Sequence, residues 1–117
     1  MATDIVRDCH RLLKPTGTLR IVVPDAELYI NLYVRARNGE PVKFPYVEGK
    51  CLPIEPLNRI FRDHGHLYAY DFCSMQEIIL SAGFSSVAKT SFMHGRDPKL
   101  LVDSPERATE SLYVEAW

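Results

Sequence analysis

The chain has 117 residues and a formal net charge of −1, with 46% hydrophobic and 25% charged residues. This is the make-up of one soluble globular domain, and the near-zero charge supplies no basic field to attract a nucleic acid. No apolar run approaches the roughly 18 residues of a membrane span, and charges stand where a secretion signal needs an apolar stretch.

Cys9, Cys51 and Cys73 are odd in number and widely spaced, matching neither a disulfide framework nor a paired-cysteine zinc motif. The expectation is a soluble, cytoplasmic protein with reduced thiols, bound to neither membrane nor nucleic acid.

In chain order, Ile5, Val6, Cys9, Leu12 and Leu13 recur at helical spacing, with Asp4, Arg7, Asp8 and Arg11 on the other face. Thr3 can cap this helix, and Pro15 and Gly17 end it. Thr18 to Val23 reads as a strand, and the consecutive Ile21, Val22 and Val23 predict burial on both faces, as in a parallel sheet. Asp25 is a natural cap for a helix over Ala26 to Arg37, which ends at Asn38-Gly39. Residues 39–63 read as an irregular region carrying four prolines between Glu40 and Pro56, with a short helical turn over Leu57 to Arg62.

Ser74-Met-Gln-Glu77 predicts a capping box, with Cys73 and Ile78 as its hydrophobic staple. Ile78, Ile79 and Ala82 form an apolar stripe that stops at Gly83. Phe84 to Phe92 and Thr109 to Trp117 read as strands, separated by a polar stretch over Met93 to Ala108. With no helix between them, these two strands should pair antiparallel. The order predicts an α/β layered fold of about three strands with flanking helices, in a single domain over 1–117.

Three segments carry a family resemblance. Arg7-Asp-Cys-His-Arg-Leu-Leu-Lys-Pro-Thr-Gly-Thr-Leu-Arg-Ile-Val-Val-Pro-Asp25 resembles the helix, turn and fifth strand of class I S-adenosylmethionine-dependent methyltransferases, with Thr16 in place of the turn's usual first glycine. Asp71-Phe-Cys-Ser-Met-Gln-Glu-Ile-Ile-Leu-Ser-Ala-Gly-Phe84 is similar to the capped helix before that family's sixth strand. Ser111-Leu-Tyr-Val-Glu-Ala-Trp117 resembles the seventh strand, which inserts antiparallel between the fifth and sixth. Asn58 to Asp71 is similar to a type 11-like bacterial subgroup of predicted methyltransferases.

The resemblance implies a partial Rossmann-like fold made of the late strands. It implies methyl transfer for the intact family, with S-adenosylmethionine as cofactor. That family seats the cofactor on a glycine-rich turn after its first strand, with an acidic residue closing the second. The glycines here stand at 17, 39, 49, 65, 83 and 95, so no Gly-x-Gly turn exists. The expectation is therefore a truncated methyltransferase-like domain with no cofactor-binding residues and no activity alone. Alternatives are the acceptor-side half of a split or oligomer-completed enzyme, and an interaction module using a sheet edge. Because the strand that would flank residues 18–23 is missing, a homodimer or other oligomer covering that edge is expected, or a separate chain carrying the missing half.

The densest polar cluster is Asp63-His-Gly-His66 with Tyr68, Tyr70 and Asp71. Two imidazoles beside a carboxylate suit a metal, although a purely structural role for the whole cluster is the simpler reading and no metal site is assigned. The resemblance sets this loop near the acceptor, which makes His66, Tyr70 and Asp71 catalytic candidates and Asp25, His64 and Tyr68 substrate-binding candidates. Asp25 serves equally as a plain helix cap. His94-Gly-Arg-Asp97 reads as a turn with a solvated ion pair or, alternatively, a phosphate contact. Cys9, Cys73, Tyr29 and Tyr33 read as packing residues.

Overall fold

In the computed structural model, which describes residues 2–62 and 68–117, the chain forms α1 (Ala2–Leu12), β1 (Leu19–Pro24), α2 (Ala26–Arg37), α3 (Ile54–Arg62), α4 (Phe72–Ser81), β2 (Val87–Thr90) and β3 (Ser111–Ala116). Short 3-10 turns at Pro98–Leu100 and Pro105–Arg107 interrupt the last connection. The sheet order is β1-β3-β2, and β3 runs antiparallel to both neighbours. The two outer strands therefore run in the same direction. The fold is mixed α/β, as the element order predicts.

Strand alternation sorts the side chains between two faces. Leu19, Ile21 and Val23 share one face with Leu112, Val114 and Ala116, and α1 and α4 cover it with Val6, Met75, Ile79 and Ala82. Ile79 and Val114 are completely buried, each contributing about 2 kcal/mol of apolar burial. Gly83 closes α4 at φ 114°, and a side-chain carbon there would lie 2.8 Å from the His10 ring. Only glycine fits both demands.

Two expectations need correcting in detail. The capping box of α4 lies one turn earlier than Ser74-x-x-Glu77. Asp71 is the cap and Ser74 the third helical residue, each side chain bonding the other's backbone N–H. Cys73 is consequently exposed and makes no staple. β1 is not sealed on both faces, since Val22 stays 41% exposed, because the ladder engages only one edge of the strand. The region 39–63 also contains a full helix, α3, which starts ahead of the turn expected over Leu57 to Arg62 and tolerates Pro56 in its first turn.

The second sheet face carries Arg20, Tyr113 and Glu115, and the segment after β2 folds across it. Arg20 donates Nε and Nη2 to the two oxygens of Asp103 and Nη1 to Glu115, at 3.0, 2.5 and 2.9 Å. It also donates to the carbonyls of His94 and Ser91, at 2.9 and 3.1 Å. All five N–H groups of the guanidinium are used. The side chains of Arg20, Asp103 and Glu115 are 4%, 3% and 3% exposed. The carboxylates bond back to the segment: Asp103 accepts from the Met93 N–H and Glu115 from the Arg96 N–H, both at 2.8 Å.

A second apolar cluster forms from Tyr29, Leu32, Phe44 and Ile60, where α2 meets α3 and the chain between them. The molecule is elongated, 49 × 26 × 23 Å.

The Arg20 hydrogen bonds hold the Asp103 carboxyl below the usual aspartate range. A depressed folded value means stabilisation that is complete above the unfolded value of about 3.9 and is lost as pH falls through the folded one. Asp103→Asn should cost about 3 kcal/mol in urea unfolding at pH 7, because a buried charge loses its bidentate partner. The variant's deficit should shrink as the pH is taken below that range. An unchanged urea midpoint at pH 7 would contradict this.

Candidate functional site

The carboxyl end of β1 is where the sheet gathers its polar residues. Asp25 leaves the strand with its N–H on the Glu110 carbonyl at 2.8 Å, and its Oδ1 accepts from the Glu27 N–H at 3.1 Å to start α2. Beside it, the Ala26 N–H reaches the Tyr70 carbonyl at 2.9 Å, and Asp25 and Tyr70 form an isolated parallel bridge. Asp25 and Tyr70, 45 positions apart in the sequence, are thus brought into backbone contact. Asp71 follows as the cap of α4, and the Tyr68 and Tyr70 rings pack with centroids 5.0 Å apart. Tyr68, Tyr70, Ser74, Glu77 and the start of α1 at Ala2 and Thr3 line a concavity of about 430 Å³. His64 and His66 lie outside the described residues.

Asp25 and Asp71 are occupied locally. Asp71 accepts from the Ser74 N–H at 2.8 Å, and the Ser74 bonds hold its carboxyl below the ordinary range. A group so placed stays ionised at neutral pH and is a weak proton acceptor. Asp25 caps α2 in the same fashion. Its side chain thus serves as a helix cap, while its backbone N–H joins Glu110.

The pattern of residue types did not single out a second polar group at the same end. The Tyr29 hydroxyl donates to Glu110 Oε2 at 2.5 Å, and Arg107 Nη1 donates to Oε1 of the same carboxylate at 3.2 Å. Tyr29 and Glu110 are 3% and 6% exposed. Burial, and then the Glu110 carboxylate, push the Tyr29 phenol far above its usual value, so at neutral pH it stays protonated and is the donor of this pair. Tyr46, in a left-handed conformation at φ 58°, donates its hydroxyl to the Glu106 carbonyl at 2.6 Å. Leu28, Leu32, Phe44, Tyr46 and Thr109 line an adjoining cavity of about 340 Å³. Tyr29 is a packing residue by position and a polar anchor by its tip. No motif announces Glu110, which precedes β3 by one residue.

The other candidates are structural in placement. Arg96 stacks its guanidinium 3.8 Å from the Trp117 ring centroid, and Asp97 Oδ1 accepts from the Lys99 N–H at 3.0 Å. The side chains of the 94–97 turn are therefore engaged separately rather than paired with one another. Cys9 is half-buried. Among the described residues no group of three or more His, Cys, Asp or Glu side chains is placed to hold a metal ion. No helix among them is long and apolar enough to cross a membrane.

By architecture the chain is a small α/β protein with a three-stranded sheet. Comparison with family models, curated proteins and solved structures returns no match.

Two substitutions measure how much these residues anchor the fold. Asp71→Ala should cost about 1 kcal/mol of stability through loss of the cap, read as a lower urea midpoint. Tyr29→Phe should cost about 1–3 kcal/mol, because it strips a buried carboxylate of a donor. In the native chain the Tyr29 phenol should not ionise in an ultraviolet pH titration until the protein unfolds.

Proposed function

We propose that these 117 residues form the late-strand, acceptor-side half of a class I methyltransferase-type domain with a partial Rossmann-like sheet, and that alone they do not bind S-adenosylmethionine. The observation that carries this reading is the strand order. β3, last in the chain, lies between β1 and β2 and antiparallel to both. That arrangement, with a helix before β1 and a capped helix before β2, matches what the sequence resemblance implies for strands five, six and seven.

The residues present do not fit the cofactor. A doubly wound sheet holds a nucleotide-like ligand at the carboxyl ends of its strands, on a close-approaching glycine turn with a free carboxylate for the ribose. The sequence has no Gly-x-Gly turn. At the carboxyl end of β1, Asp25 and Asp71 are spent on helix caps, and Glu110 is buried and engaged by Tyr29 and Arg107.

The gathering of Tyr68, Tyr70, Asp25 and Asp71 at one end favours a second reading, in which this half supplies acceptor contacts to a site completed by another chain. In that reading His64 and His66, which belong to the same connection, bring the imidazoles that acid–base chemistry near neutral pH requires.

Titration calorimetry of the pure chain with S-adenosylmethionine should give no heat of binding up to millimolar ligand. Saturable binding at micromolar concentration would overturn the first reading. If the second holds, adding a chain that carries the glycine-rich half should create binding, and Tyr70→Ala in this chain should weaken turnover by the mixture without affecting ligand affinity.

A further inference from the structure

The connection between α2 and α3 encloses a hollow well away from the sheet. Ala26, at the start of α2, is bonded to Tyr70 beside the candidate site. Ala36 lies near the other end of the same helix, about 15 Å further along at the usual rise. There the chain over 40–53 folds round a cavity of about 690 Å³ that Ala36 helps to line. Cavities of this size take a small organic molecule.

The lining is mostly apolar. Val42, Phe44, Val47 and Cys51 contribute to it, and all four belong to the cluster packed between α2 and α3. Two lysines and two glutamates also line it, at 43, 50, 40 and 48. Arg35 holds Glu40 at 3.1 Å, whereas Lys43 and Lys50 pair with no carboxylate among the described residues. Glu48, equally without a partner there, offsets only one of the two lysines.

The backbone adds donors to this excess of positive charge. The N–H groups of Glu48, Gly49, Lys50 and Cys51 reach no acceptor among the described residues. Gly49, in their midst, is left-handed at φ 78°. Successive N–H groups about a left-handed residue are the backbone form of an anion-binding concavity.

We infer that this cavity binds a small organic anion, an apolar body carrying one carboxylate or similar acidic head. The body lies against Val42, Phe44 and Val47, and the head meets Lys50 and the amides beside it. A neutral apolar molecule leaves those donors unused, and a cation is repelled by the lysines. Lys43 also lines the 340 Å³ cavity, which makes Lys50 the cleaner residue to alter. The site is separate from the carboxyl end of the sheet, so the inference holds whether or not the chain is methyltransferase-derived.

Anilinonaphthalene sulfonate, an apolar anion that fluoresces when shielded from water, is the probe, with its uncharged parent phenylnaphthylamine as control. The folded chain should bind the anion saturably at a single class of site. The bound anion should slow alkylation of Cys51 by iodoacetamide several-fold, read from the mass of its peptide. Cys73, exposed on α4, should react at its usual rate in the same sample. Lys50→Gln should weaken the anion about threefold, the scale of one partly exposed ion pair, and leave the neutral control unchanged.

Absence of saturable binding overturns the proposal. Binding that leaves Cys51 unprotected overturns it equally, because the probe then sits elsewhere, and this measurement needs only the native chain. An affinity for the anion that is the same in Lys50→Gln overturns the placement of the acidic head.

Discussion

The fully engaged guanidinium of Arg20 is the constraint on which the second face of the sheet depends. A three-stranded sheet with both helices on one side would leave its other side wet. Here a segment with little regular structure covers that side, and such a segment needs fixed points. Arg20 supplies them: it bonds two backbone carbonyls of the segment and Asp103 within it, while Glu115 on the neighbouring strand completes the set. Gly95 shows how closely the chain approaches, since any side chain there would collide with the Glu115 carboxylate. A charge buried this deeply is tolerated because every donor it carries is matched.

Much of the layout was legible because it follows from local rules. Asp25 and Asn38-Gly39 bracket α2 as their side-chain and backbone preferences dictate. The alternation over Leu112, Val114 and Ala116 identifies the face of β3 that packs on the helices, although Tyr113 and Glu115 on its other face are buried as well. The antiparallel pairing of β2 with β3 follows from the lack of a crossover helix. What escaped was non-local. Three consecutive apolar residues in β1 read as two-sided burial, but Val22 sits on the second face of an outer strand, a position that sequence periodicity cannot locate. The turn at 94–97 reads as a solvated ion pair, yet Arg96 finds Trp117 through a strand register fixed elsewhere. The box at Ser74 was displaced by one turn because Asp71 is an equally good acceptor that starts the helix sooner.

The candidate site divides in the same way. Asp25, Tyr68, Tyr70 and Asp71 were named from residue type and family resemblance, and they do converge at one end of the sheet. Their convergence is made largely by backbone, through the Ala26 to Tyr70 bond. The Tyr29–Glu110 pair, the most deeply buried polar contact at that end, left no trace in the sequence because its partners are 81 positions apart. Local spacing could not have paired them.

That phenol also determines how the two halves of the molecule behave together. Tyr29 belongs to the apolar cluster built on α2 and α3, whereas Glu110 introduces the central strand of the other cluster. The two clusters have no buried member in common. The links between them include the junction at Asp25 and Tyr70, this hydrogen bond and the Tyr46 hydroxyl on the Glu106 carbonyl, so amides of the helical lobe should exchange separately from the sheet where these contacts open.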